Sequence, residues 1–537
     1  MMGIFSNSYL LVVSLFIFSV SFGTLSTTSD IHENFLQCLS LNSHTYTPTY
    51  TKSNPNYTSI LESNIYNQRP LSSSTNLKPF LIITPLQESQ VQASVICSKK
   101  HGVQLKVRSG GHDYEGLSYV SDVPFVIVDM INLRAINVNA KDGTAWVQSG
   151  ATLGELYYRI AEKNRTLGFP AAVCTTVGVG GQFSGGGYGS LLRKYGVAGD
   201  NVIDVRIVDA HGQILNKDTM GEDLFWAIRG GGGGSFGVVL SWKIKLVPVP
   251  PTVTMFTITK TLEEGATGLV HKWQEVAPKF PNELFMRVIL TLGTSTTQKG
   301  KKTIQASFNS MYLGTTTKLL LVMKERFPEL GLTSKDCTET SWVRSTLYFG
   351  NFPVDGPLNN LLSRSKAANT FKAKSDYVRR PISKIGLEGL WRRVLTKENP
   401  VIIFTPYGGR MNEISESAIP FPHRNGTLYM IMYVVIWNKE EGVETSKKYL
   451  TWMRNLYRYM APFVSKCPRE AYVNYRDLDL GQSKNGTASY LSGRTWGKRY
   501  FKGNYKRLVQ VKSKFDPENF FKHEQSIPSI ASYRSTY

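Results

Sequence analysis

The side chains of this sequence that could do chemistry sit beside glycines. Ser109-Gly-Gly runs straight into His112 and Tyr114; Cys174 precedes Gly178-Val-Gly-Gly, which leads through Ser184 and Gly185-Gly-Gly to Tyr188; Gly230 to Gly234 is an unbroken run. Glycine permits positive φ and a close backbone approach, so several such loops together suggest amide N–H groups wrapped around a diphosphate. Tight turns in a β-rich domain would use glycine in the same way. On composition alone both readings stand, and an isolated histidine or cysteine is ordinarily a hydrogen-bonded turn residue or a buried inert thiol.

A single phosphate loop is the first alternative to test. Gly232-Gly-Gly234-Ser-Phe-Gly237 has the spacing G-x-G-x-x-G, but Asp223-Leu-Phe-Trp-Ala-Ile-Arg before it has helical spacing, and Leu240, Trp242, Ile244 and Leu246 after it alternate as a strand. A Rossmann fingerprint needs strand then helix, so NAD binding by that route is excluded; no G-x-x-x-x-G-K-[ST] loop is present either.

The elements that must position these loops read as α+β. From Lys78 to about Pro250, β-like runs such as Phe80-Leu-Ile-Ile-Thr, Phe125-Val-Ile-Val-Asp and Val202-Ile-Asp-Val-Arg-Ile-Val-Asp alternate with helical stretches such as Gly154-Glu-Leu-Tyr-Tyr-Arg-Ile-Ala-Glu. Val247-Pro-Val-Pro-Pro251 marks a boundary. Beyond it, residues 251–465 are expected to form a second domain on an antiparallel sheet, with strands at Thr254-Met-Phe-Thr-Ile-Thr and Thr427-Leu-Tyr-Met-Ile-Met-Tyr-Val-Val-Ile-Trp. Residues 466–537 read as irregular turns and short helices that pack back on the rest. Residues 30–77 form an N-terminal segment ahead of the glycine-rich domain, 78–250.

At 537 residues the chain is too long for one compact core, and 41% hydrophobic content supports real cores. Lys and Arg outnumber Asp and Glu by 62 to 40, for a formal charge of +22, yet the cations are scattered singly, which argues for a solvated surface and against nucleic acid. The apolar stretch Tyr9 to Phe22, ending in small and polar residues, reads as a secretory signal cleaved within residues 23 to 29, although Lys and Arg are missing ahead of it. No later segment is long and apolar enough to anchor the mature chain in a membrane. Asn56-Tyr-Thr, Asn164-Arg-Thr, Asn425-Gly-Thr and Asn485-Gly-Thr are glycosylation triplets that agree with export. Of the five cysteines, 38, 97, 174, 337 and 467, at least one has a fate other than an intrachain disulfide; Cys38 and Cys97, flanking the start of the folded region, are the expected pair.

Arg108-Ser-Gly-Gly-His-Asp-Tyr-Glu-Gly116, Cys174-Thr-Thr-Val-Gly-Val-Gly-Gly-Gln-Phe-Ser-Gly-Gly-Gly-Tyr188-Gly, Gly221 to Gly234, Tyr472-Val-Asn-Tyr-Arg-Asp-Leu-Asp-Leu-Gly481 and Glu524-Gln-Ser-Ile-Pro together closely resemble the plant berberine-bridge-enzyme-like family, over essentially the whole chain after the signal. The resemblance implies a two-domain vanillyl-alcohol-oxidase-type fold: an FAD domain formed by residues 78–250 with the C-terminal segment, and a substrate domain roofing the isoalloxazine. It implies FAD held by two bonds, His112 to the 8α-methyl carbon and Cys174 to C6, in a cradle of Ser109, Gly110, Gly111, Val177, Gly178, Gly180, Gly181, Ser184, Gly185 and Gly187.

The resemblance also assigns roles around the reacting carbon. Tyr475 matches the catalytic tyrosine of members that oxidise alcohols or cyclise prenylated phenols; a phenol with a pKa of ~10 needs a cation to serve as base, and Arg287 matches the arginine that supplies it. Tyr114, Tyr188 and Tyr407 are expected in the substrate pocket. Met430 and Met432 stand where relatives often carry Lys, Glu or Gln, which removes a proton acceptor and makes the pocket apolar and adaptable. Val177 falls where a bulkier residue in some relatives blocks oxygen. The expected function is a secreted, monomeric oxidase of a hydrophobic phenolic, allylic alcohol or prenylated aromatic, passing hydride to FAD N5 and giving hydrogen peroxide. The alternatives are an FAD-containing cyclase or Diels–Alderase without net redox change, and a non-catalytic carbohydrate-binding protein with a vestigial flavin.

Overall fold

The computed structural model describes residues 28–73, 76–295, 297–365, 369–397, 399–483 and 489–530. Strands β1 (Thr49–Thr51), β2 (Leu81–Ile83), β3 (Gln104–Arg108) and β4 (Phe125–Asp129) form one sheet in the order β1-β2-β4-β3, with β2, β4 and β3 parallel. Every residue of β4 is buried, which is why it reads as a continuous apolar run rather than an alternation. A second sheet joins β5 (Ile136–Asn139), β6 (Thr144–Gln148), β8 (Val202–Val208), β9 (Ile214–Leu215) and β10 (Val238–Lys245) in the antiparallel order β5-β6-β10-β8-β9; β7 (Leu167–Gly168) pairs separately with β11 (Val247–Pro248). Between these strands the helix Leu153–Lys163 begins on a capping box of Thr152 and Glu155.

After the proline-rich stretch the chain builds one antiparallel sheet from β12 (Val253–Thr261), β13 (Leu284–Thr294), β14 (Lys302–Tyr312), β15 (Thr338–Thr340), β16 (Thr370–Val378), β17 (Pro400–Pro406) and β18 (Tyr429–Trp437), in the order β15-β12-β14-β13-β17-β18-β16. Strand alternation divides its faces. Leu284, Met286 and Val288 of β13, with Tyr429, Ile431 and Tyr433 of β18, pack in a core that includes the helices Ala266–Val276, Lys384–Val394 and Gly442–Met460. Phe285 and Arg287, with Met430 and Met432, turn the other way, toward the glycine-rich domain.

The tail differs from expectation. Beside the expected turns, its helices Tyr490–Phe501 and Asn504–Phe515 run to twelve residues each, longer than the short helices expected. Gly493 and Gly497 obscure the first in the sequence, but a Cβ on Gly497 would fall 2.2 Å from the Tyr505 ring, so close packing of the two helices requires the glycines that lower local helix propensity.

Cys38 and Cys97 form a disulfide, while Cys174, Cys337 and Cys467 are free thiols. Asn56 and Asn425 are exposed and Asn164 half-exposed; Asn485 and the apolar stretch Tyr9 to Phe22 lie outside the described residues. Among the described residues no helix is long and apolar enough to cross a membrane, and no metal-binding cluster occurs.

Candidate active site

The loop after β3 is anchored at its root. Buried Arg108 pairs with Asp129 at 2.7 Å and donates to the carbonyls of Leu61 and Ile60 at 2.6 and 2.9 Å. Ser109 Oγ then donates to the Ser149 carbonyl at 2.5 Å. A Cβ on Gly110 would lie 2.3 Å from the Gly178 nitrogen, and one on Gly178 2.2 Å from Ser109 Oγ, so the two glycine loops pack backbone against backbone. Gly111, at φ +66°, lies so close to the Asn64 carbonyl that a Cβ would fall 1.4 Å from its oxygen.

This contact brings His112 and Cys174 together. His112 Nε2 lies 3.0 Å from Thr176 Oγ1, and Cys174 Sγ lies 3.6 Å from the same hydroxyl. The imidazole stacks on Tyr66 with centroids 4.5 Å apart. Thr176, inside the Cys174 motif, and Tyr66, in the N-terminal segment, were not singled out by the sequence.

A cleft of about 450 Å³ opens between the glycine loops and the seven-stranded sheet. Ser109, Gly110, Gly111, His112, Cys174, Val177, Gly178, Gly180, Gly181, Ser184 and Gly185 line it from below. Gly181, Gly232 and Gly234 also line it and have nothing within 4 Å of where a Cβ would stand, so their backbone is open to the cavity. That is the geometry a diphosphate cradle needs, and the residues present fit FAD. The run rejected as a Rossmann loop follows the helix Lys217–Ile228 and precedes β10, the reverse of that motif, yet contributes four glycines, Gly232, Gly233, Gly234 and Gly237, to the wall. Gly187 does not line the cleft; its N–H donates to Tyr472 Oη at 3.1 Å and its φ of +75° serves the turn.

Opposite stand Phe285 and Arg287 of β13, Ile403 and Thr405 of β17, and Met432 of β18. Between floor and roof lie three of the predicted tyrosines. Tyr188 and Tyr475, 287 residues apart in sequence, are hydrogen-bonded hydroxyl to hydroxyl, and Tyr114 stacks on Tyr475 at 5.2 Å with planes 5° apart. Arg287 is oriented by Asn309 Oδ1, which accepts from its Nε at 2.8 Å, and lies over the Phe349 ring at 5.2 Å. Two predicted pocket residues stand behind the wall instead. Met430 is fully buried, opposite Thr405 and Tyr377 in the sheet register, and Tyr407 is buried with its hydroxyl 3.4 Å from that of Tyr377.

Burial pushes both paired phenols above their ordinary value, but unequally. Tyr188 is raised less, because hydrogen bonds to Tyr475 and Thr405 and the Arg287 charge favour its ionised form. Tyr475 is raised well above, by burial and by its neighbours Tyr188 and Tyr114. The arginine therefore favours the ionised form of Tyr188 ahead of that of Tyr475, and the two hydroxyls titrate as one pair. At the far end of the cleft, His523 is held well below its usual range by burial and by the charges of Arg476, Lys106 and Lys512; its Nδ1 accepts from the Gln525 N–H at 3.2 Å.

Residues 79–217 match the FAD binding domain family and residues 471–528 the "berberine and berberine like" family. The chain is 54% identical to a tetrahydroberberine oxidase of Berberis wilsoniae, over 95% of this chain and 96% of that one. It is 51% identical to a monolignol oxidoreductase of Arabidopsis thaliana, over 98% of each. Among solved structures, the berberine bridge enzyme of Eschscholzia californica superposes with a TM-score of 0.87 at 40% identity, covering 93% of this chain and 99% of that one. A grass pollen allergen with glucose dehydrogenase activity, Phl p 4, superposes with a TM-score of 0.86 at 47% identity, covering 92% and 99%. The chain belongs to the berberine-bridge-enzyme-like family of FAD-linked oxidoreductases.

Proposed function

We propose that this protein is an exported oxidase that dehydrogenates a hydrophobic phenolic, allylic alcohol or prenylated aromatic compound and passes the electrons to oxygen as hydrogen peroxide. The observation that carries this reading is the Tyr188–Tyr475 hydroxyl pair, with the Arg287 cation acting on it, set against an apolar roof. FAD supplies the hydride acceptor when bound, tethered through His112 and Cys174. The residues of the chain bind the substrate between Met432, Ile403 and Tyr114, orient its hydroxyl on the tyrosine pair, and accept its proton there. With Arg287 favouring the phenolate of Tyr188, Tyr475 can hand its own proton across their hydrogen bond and act as the base toward substrate.

Met432 on the roof can neither take the substrate proton, as a carboxylate would, nor donate a hydrogen bond, as an amide would, and Met430 is buried behind it. The apolar roof suits an aromatic substrate better than a sugar, although Phl p 4 has glucose dehydrogenase activity. An isoleucine-to-valine variant of that protein is described as a glucose oxidase. Val177, half-buried on the cleft wall, supports oxygen as acceptor here. The apolar Tyr9–Phe22 stretch and the Cys38–Cys97 disulfide support export.

The test is anaerobic mixing of the purified holoenzyme with monolignols, prenylated phenols, chalcones and tetrahydroprotoberberines, followed by air. One of these should bleach the flavin, air should restore the colour with peroxide, and acid denaturation should leave the flavin on the polypeptide. If none bleaches it while a diene and dienophile pair is consumed to an adduct, the pericyclic alternative replaces the oxidase.

A further inference from the structure

We infer that Lys372, with Lys374, is a positioning residue for the tyrosine pair: a buried ionic ring locks the roof of the cleft to the two segments that carry Tyr114 and Tyr475. The inference rests on the reading of the Tyr188–Tyr475 pair as the base.

Lys372 lies on β16 with only 4% of its side chain exposed. Its ammonium pairs with Glu115, the residue after Tyr114, and with Asp477, two residues after Tyr475, at 2.7 Å. Lys374, 2% exposed, holds the other oxygen of Asp477 at 2.6 Å and Asp479 at 2.8 Å. Arg69 also pairs with Glu115, and Arg454 closes the outer side on Asp479. Burial alone would raise the Glu115 carboxyl; the Lys372 and Arg69 charges hold it below its usual range.

A buried ion pair gives little stability over an apolar replacement, so the ring is poorly explained as a fastening. Its members fall where they fix geometry. Phe371, beside Lys372, sets its ring edge against Tyr114 at 5.1 Å, and Asn67 donates to the carbonyls of both Tyr114 and Phe371. Ser375 of the same strand accepts from the Tyr472 N–H at 2.9 Å, and Tyr472 touches Tyr475 at 5.1 Å. The ring therefore sets the stacking of Tyr114 on Tyr475, and with it the contact of Tyr475 with Tyr188. The charged and titratable groups around Tyr475 are Tyr188, Tyr114, Tyr472, Arg287 and Arg476, the last paired with Asp113.

The experiment compares the holoenzyme with Lys372→Met, Lys372→Arg, Asp477→Asn and Tyr475→Phe, using the bleaching substrate found above, by anaerobic flavin reduction across pH and by thermal melting. Lys372→Met should slow reduction on the order of 10- to 100-fold with substrate Kd little changed and the alkaline limb displaced. Lys372→Arg should recover most of the rate. If Lys372→Met fails to fold, Asp477→Asn, which keeps the side-chain shape, carries the same expectation. Lower melting with unchanged rate and limb, while Tyr475→Phe is slow, overturns the positioning role and leaves the base reading intact. Parental rate in Tyr475→Phe overturns the base reading, and the inference with it.

Discussion

Arg287 reaches the tyrosine pair from β13, where Asn309 fixes its Nε and alternation along the strand sets it on the same face as Phe285. Burial pulls the guanidinium down, and the oxygens of Tyr188, Tyr475 and Tyr348 act against that. The cation in turn favours the phenolate of Tyr188. Replacing it by a neutral residue raises the pKa of the pair, so the rising alkaline limb of the rate should move to higher pH. For Arg287→Gln we expect a displacement of one to two pH units, which is roughly a 10- to 100-fold slower flavin reduction at pH 7. An unchanged limb measured by stopped-flow reduction would show that the arginine serves packing on Phe349 alone. At this scale the motifs made His112, Cys174, Tyr188 and Tyr475 legible. Thr176, Tyr66 and Asn309 were not, because each acts through a partner distant in sequence or of a common residue type.

The glycine loops act as elements, and their contact is what places both candidate tethers beside one hydroxyl. Gly178→Ala would drive a methyl into Ser109 Oγ and the Gly110 backbone, both held by neighbouring structure. The loops must separate by about an ångström or more, so the variant should bind flavin poorly or carry it without full attachment, seen as yellow colour released on denaturation. Gly181→Ala is the matched control: its Cβ position meets nothing within 4 Å in the chain, so folding should be unaffected and any loss should fall on flavin content. Full attachment in Gly178→Ala would contradict the close approach. The strand positions were readable in the sequence from apolar runs and alternation. Depth along one face was less so: Met430 and Met432 share a face of β18, and nothing in Tyr429-Met-Ile-Met-Tyr433 told that Met432 meets the cleft while Met430 is sealed behind it. The length of the first tail helix was hidden by Gly493 and Gly497 for the packing reason already given.

In the whole molecule the cleft is completed from the N-terminal side by a segment that the domain pattern did not assign to it. Asn64 supports Gly111, Tyr66 covers His112, and Asn67 ties Tyr114 to Phe371, all within the loop that the Cys38–Cys97 disulfide closes. The bond joins the helix Thr28–Ser43 to the helix Glu88–Lys100 across 59 residues. Restricting a loop of that length in the unfolded chain contributes about 4 kcal/mol on the loop-entropy estimate, within the usual range for a native disulfide. The variant Cys38→Ser/Cys97→Ser should therefore melt a few degrees lower, since in a chain this long each kcal/mol moves the midpoint only slightly. Because residues 64–67 are also held by backbone and side-chain bonds to the glycine loop and β16, the folded variant should keep its flavin and its reduction rate. Loss of flavin in the still-folded variant would mean that the disulfide, and not those bonds, keeps Tyr66 on His112.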